Sequence, residues 1–115
     1  MEVSRLMPTP IMHRAVASNG SLSLGGIIAD DRALPMFGQT SQILAKLKAI
    51  LEQSGSSMDR LISTTVFITD MGQKAEMDRA WKELIPQNSL PTRATIGVND
   101  LGKGVLIEVV ATASV

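Results

Sequence analysis

The feature that most constrains this chain is a pair of β-type runs near its C-terminal end. Pro91-Thr92-Arg93-Ala94-Thr95-Ile96-Gly97-Val98 and Val105-Leu106-Ile107-Glu108-Val109-Val110-Ala111-Thr112-Ala113 flank the segment Asn99-Asp100-Leu101-Gly102-Lys103-Gly104. Runs of this kind around a Gly/Asn/Asp cluster predict a β-hairpin. Each run carries a single charge, Arg93 in the first and Glu108 in the second. A turn centred on Leu101–Gly102 would set Glu108 opposite Thr95 and Leu106 opposite Gly97. Because side chains alternate along a strand, Arg93, Thr95, Glu108 and Val110 are then expected on one face. Arg93 and Glu108 become diagonal neighbours, about 7–8 Å apart at the backbone. A slip of one residue would send Glu108 to the other face.

Two readings of this pair stay open. One is a structural ion pair that fixes register. The other is a site in which the guanidinium clamps a carboxylate through two parallel hydrogen bonds and Glu108 orients water or moves a proton. A charge in an apolar strand is costly unless it is paired or used.

Composition narrows the classes. A length of 115 residues fits one domain, residues 1–115. Eleven basic residues balance eleven acidic ones without a basic block, so binding to phosphate backbones by bulk charge is not expected. Aromatics at 3% argue against base-stacking platforms. With no cysteine, disulfides, thiolate nucleophiles and Cys-ligated zinc are excluded. The one histidine, His13, cannot build a histidine metal site alone, and the Asp30-Asp31-Arg32 cluster reads as a solvated turn rather than a metal site. No apolar run reaches membrane-spanning length, and Met1-Glu2-Val3-Ser4-Arg5 lacks a signal-peptide pattern. A soluble cytoplasmic protein is the expectation.

Residues 1–13 read as an extended lead-in. Ala15-Val16-Ala17 and Ser21 to Leu24 around Asn19-Gly20 predict a first hairpin. Gly25-Gly26 at the strand end permits a bulge or close approach of backbone to a ligand. Ile43, Leu44, Leu47, Ile50 and Leu51 predict a helix over Met36 to Ser54, stopped by Gly55. Leu61 to Thr69 is β-branched and predicts a strand. Gln73 to Ile85 predicts a second helix with Met77, Ala80, Trp81 and Leu84 on one face, Trp81 packing in the core. The order β-β-α-β-α-β-β predicts an α+β fold, one sheet with both helices on one face. The last strand is apolar on both faces, so the second face is expected to meet another copy of the chain. Clefts between subunits are common small-molecule sites.

These residues resemble the RidA/YjgF family, also known as endoribonuclease L-PSP or reactive-intermediate deaminases. Pro91-Thr92-Arg93-Ala94-Thr95-Ile96, continuing to Leu106-Ile107-Glu108-Val109, follows the family's C-terminal signature. Thr64-Thr65-Val66-Phe67-Ile68-Thr69-Asp70 is similar to its central strand. Asn19 to Asp31 and Met77-Asp78-Arg79-Ala80-Trp81 are similar to its second strand and second helix. The resemblance implies a chorismate-mutase-like fold with a mixed sheet, a homotrimer with inter-subunit clefts, and no metal or organic cofactor. It implies hydrolysis of enamine or imine intermediates to 2-keto acids and ammonia, a deaminase acting on C=N bonds. Arg93 falls where the family binds the substrate carboxylate and Glu108 where it orients water, while Thr95, Gly26, Gly25 and Met12 fall at substrate-binding positions. Gly25 replaces a usual serine, Ile27 a common glutamine and Met12 a frequent tyrosine; Thr95 stands where many deaminating members have cysteine. The alternatives are a non-catalytic trimer that binds small carboxylates as sensor or regulator, and, with less support, an endoribonuclease or translation inhibitor. The expected partners are a small carboxylate-bearing metabolite and the chain itself, with no membrane.

Overall fold

The computed structural model describes residues 2–115. In chain order the strands are β1 (Val3–Pro8), β2 (His13–Ser18), β3 (Ser21–Ile27), β4 (Leu61–Ile68), β5 (Thr92–Gly97) and β6 (Ile107–Ser114); the helices are α1 (Met36–Gln53) and α2 (Lys74–Leu84). The six strands form one mixed sheet in the order β1-β2-β3-β6-β4-β5. Only β4 and β5 run parallel. This is the expected α+β layering, with an additional edge strand: residues 3–8 of the supposed lead-in pair with β2.

Local chemistry accounts for most of the boundaries. Asn19 and Gly20 both adopt positive φ, at 54° and 79°, and join β2 to β3 by the tight turn their sequence predicts. At the end of α1, Gly55 enters the left-handed region at φ 81°. Its N–H donates to Glu52 O and that of Ser56 to Leu51 O, which satisfies the carbonyls a helix end leaves free.

One hydrophobic cluster joins both helices to a single sheet face. Leu22, Leu24 and Ile27 of β3, Val66 and Ile68 of β4, and Ile107, Val109, Ala111 and Ala113 of β6 point into it. From the helices come Ile43, Leu44, Leu47, Ile50, Leu51, Met77 and Trp81. Gln39, 1% exposed, fastens the loop before β6 to the start of α1. Its Nε2 donates to Leu34 O and Gly104 O, both at 2.9 Å, and its Oε1 accepts from Leu106 N at 3.0 Å.

The C-terminal hairpin is not formed. β4 lies between β5 and β6, parallel to the first and antiparallel to the second. The reason is the connection: β4–α2–β5 is a strand–helix–strand unit, and a helical crossover returns the chain parallel to the strand it left. The loop after β5 therefore carries the chain past β4 rather than back along β5.

Candidate functional site

The register of β4 decides where the two charges stand. Arg93 pairs with Thr64, and Glu108 pairs with Phe67. Thr64 and Phe67 are an odd number of residues apart on one strand, so their side chains leave opposite faces. Thr64 is buried toward the helices, as are Val66 and Ile68. Arg93 and Thr95 thus face α2, and Glu108 faces away from both helices. The expected shared face of Arg93, Thr95, Glu108 and Val110 is corrected: the pair is split by the sheet.

Glu108 stands on the uncovered face beside the two glycines of β3. Leu24 pairs with Ala111 and Ile27 with Val109, so β3 carries one residue more than β6 across this stretch, a bulge. Leu24 and Ile27 are both buried inward, which turns the intervening Gly25 and Gly26 outward. A Cβ on Gly26 would collide with the Glu108 carboxylate, whose Cδ would lie 2.9 Å away. A Cβ on Gly25 would meet Met12 Sδ at 2.9 Å and Cε at 3.3 Å. Met12, Gly25, Gly26 and Glu108, four of the six expected site residues, are therefore gathered at one place. Among the described residues the Glu108 carboxylate has no ion-pair partner.

The rest of the open face is only partly apolar. Phe67 and Ile96 share a row with Glu108, and Val110 lies in the next row beside Thr65. Further along, Ser23, Thr112, Ser63 and Thr92 make a hydroxyl-bearing row, with Ser63 Oγ 2.6 Å from Thr112 Oγ1. The expected apolar second face is confined to the surroundings of Glu108.

Arg93 has a partner that the sequence reading did not assign. Its Nη2 lies 2.7 Å from Asp78 Oδ1 on α2. The other Asp78 oxygen accepts from Lys74 Nζ at 2.8 Å, one helical turn back. Both Asp78 oxygens are thus engaged, Oδ1 by the Arg93 guanidinium and Oδ2 by the Lys74 ammonium. Burial pushes the Asp78 carboxyl up, but the Lys74 hydrogen bond and the Arg93 guanidinium outweigh it and hold the group below the usual carboxylate range. The guanidinium carbon also stands 5.2 Å from the Trp81 ring centre. Trp81 itself is 5% exposed and belongs to the core, as its spacing predicted. Arg93 keeps 21% of its side chain exposed, enough to reach an open cavity of about 240 Å³ lined with Trp81, Lys82, Leu90 and Pro91. The available signal was the pair Lys74 and Asp78 on a helix that a crossover must lay over β5.

The fold matches known proteins. The family model described as Endoribonuclease L-PSP matches residues 5–115. A RutC family protein of Haemophilus ducreyi is 27% identical over 113 residues, covering 98% of this chain and 97% of its own length. The RutC family protein slr0709 of Synechocystis is 31% identical, covering 89% of this chain and 85% of its own. The crystal structure of NMB1025 from Neisseria meningitidis, a member of the YjgF protein family, superposes with a TM-score of 0.93 at 25% identity, covering 99% of this chain and 95% of that one. The chain belongs to the RidA/YjgF family, the endoribonuclease L-PSP family.

Proposed function

We propose that this protein hydrolyses reactive 2-imino acids and their enamines to 2-keto acids and ammonia. In this reading it is a deaminase working as a chorismate-mutase-like homotrimer, with its site in the cleft between copies. The reaction adds water to C2 of the imine; the new C–O bond becomes the keto group as the C–N bond breaks and ammonia leaves. The observation that carries the reading is the Glu108 carboxylate, without an ion-pair partner among the described residues, on the open face and set against a glycine that leaves it room. Such a group can hold a water and take its proton as the water attacks.

Arg93 supplies the second half. A guanidinium has five N–H donors, and Asp78 occupies only one side of it. Lys74, Asp78 and Arg93 sum to a net positive charge, which favours an incoming carboxylate. Because the sheet separates Arg93 from Glu108 within one chain, a substrate that touches both must lie between the β5 edge of one copy and the open face of the next. Gly26 and Thr95 belong to the two halves of that cleft. Uncatalysed imine hydrolysis is already fast, so acid–base help of order 10²–10⁴-fold would suffice.

The test is the decay of a 2-imino acid with and without protein. The reading expects acceleration that Arg93→Ala and Glu108→Ala remove; equal rates for wild type and Arg93→Ala would end it. A second reading, a trimer that binds small carboxylates without turnover, is favoured by one observation: Met12 and Gly25 bring no polar group to the place beside Glu108. It expects keto acids to raise the melting temperature by mass action with no catalysis. The ribonuclease named in the family's description has less support, since the single imidazole, His13, sits at the start of β2 and no cluster of histidine and carboxylate side chains forms among the described residues.

A further inference from the structure

We infer that Met12 and Gly25 act as one specificity element, an apolar wall that makes the site select 2-imino acids with an apolar side chain. The inference rests on the deaminase reading and names its substrate class. Its basis is the packing of the hairpin between β1 and β2 on the bulge in β3. The Met12 thioether fills the space in which a side chain at position 25 would begin, with Sδ 2.9 Å and Cε 3.3 Å from a Cβ built there. One residue further along the same bulge, the Glu108 carboxylate fills the corresponding space at Gly26. The thioether and the carboxylate therefore stand over neighbouring residues, on the same side of the sheet.

The hairpin that delivers Met12 is held in shape. Thr9 N donates to Met12 O at 2.7 Å, Thr9 Oγ1 to the same carbonyl at 3.0 Å, and Met12 N to Thr9 Oγ1 at 3.1 Å. Met12 is still 36% exposed, so a ligand at Glu108 can touch it. On the strands beside Glu108, Phe67 shares its row and Val110 follows on its own strand. A reacting C2 held at Glu108 thus has a thioether, a phenyl ring and an isopropyl group around it. Methionine adapts to irregular apolar shapes, which suits branched and aromatic side chains alike. A small or hydroxylated side chain would leave this surface wet or bury a hydroxyl without a partner.

The experiment compares two 2-imino acids, released from leucine and from alanine by an added L-amino-acid oxidase, and reads the ratio of their kcat/KM values. Wild type is expected to favour the leucine-derived substrate about tenfold, as differences of a few methylenes in an apolar pocket allow. Met12→Gln puts an amide on the wall. Gly25→Ser pushes the thioether aside, and that flexible end can move without unfolding the chain. Each variant is expected to lower the ratio about fivefold or more. The ratio is internal to each sample, so a loss of folded protein cancels. Turnover of both imines with the same ratio in wild type and both variants would overturn the specificity element and leave the deaminase reading standing. No acceleration of either imine by wild type would overturn both.

Discussion

The two faces of the sheet treat charge in opposite ways. On the helix-covered face Arg93 meets Asp78, which in turn meets Lys74, and the indole of Trp81 lies beneath the guanidinium. On the open face Glu108 has no countercharge among the described residues and is given space by a missing Cβ at Gly26. A charge tied into a helix by two partners also serves the fold. A charge left free beside a glycine serves the fold little, and its retention calls for another use. Ile107 and Glu108 put this contrast on adjacent residues of β6.

The largest effect expected belongs to the covered face. Ile107 is fully buried, and Ile107→Ala should cost about 2–5 kcal/mol in chemical denaturation. Glu108→Ala, one residue on, should shift stability by less than about 0.5 kcal/mol while lowering imine hydrolysis about 100-fold, a split visible by measuring melting and turnover on the same sample. If Glu108→Ala unfolds the protein instead, the two faces do not differ as described.

Gly26→Ala sharpens the contrast within the open face. The added Cβ displaces the carboxylate, a flexible group, so the fold should survive while turnover falls about tenfold. The smallest effect is at Asp78. Asp78→Asn should cost about 1 kcal/mol at neutral pH. Because the folded-state carboxyl is held below its ordinary value, its contribution is fully present above the unfolded pKa of about 3.9 and is lost as pH falls through the lower folded value. Melting curves of wild type and Asp78→Asn should therefore converge as the solution is acidified below that point; curves that stay parallel would show that Asp78 does not act through its charge.

Much of the fold was legible because short-range chemistry encodes it. The α1 stripe, the Gly55 stop and the Asn19-Gly20 turn each act within a few residues and lie where the pattern put them. The split of Arg93 and Glu108 was not legible from turn chemistry. Asn99 to Gly104 signals only that the chain bends, and nothing in it says that β4 occupies the space between the two strands. The deciding information lay further back, in the strand–helix–strand order that makes β5 parallel to β4. Once β5 and β6 have each taken their register on β4, parity sends the two charges to opposite faces. Asp78 followed the same logic: its partner depends on where α2 lies over the sheet, a tertiary fact. Met12, Gly25, Gly26 and Glu108 were named together only through the family resemblance; their proximity depends on β3 pairing with β6, which no local pattern in the chain encodes.

The central claim is that Arg93 and Glu108 serve one site only across two copies of the chain, and a mixing experiment addresses it most directly. Arg93→Ala and Glu108→Ala chains, each inactive alone, are unfolded together in equal amounts and refolded. Random assembly into a closed ring would restore up to about a quarter of wild-type turnover, since that fraction of clefts receives Arg93 from one chain and Glu108 from its neighbour. Turnover that stays at the level of the separate variants, in assemblies shown to contain both chains, would contradict the account.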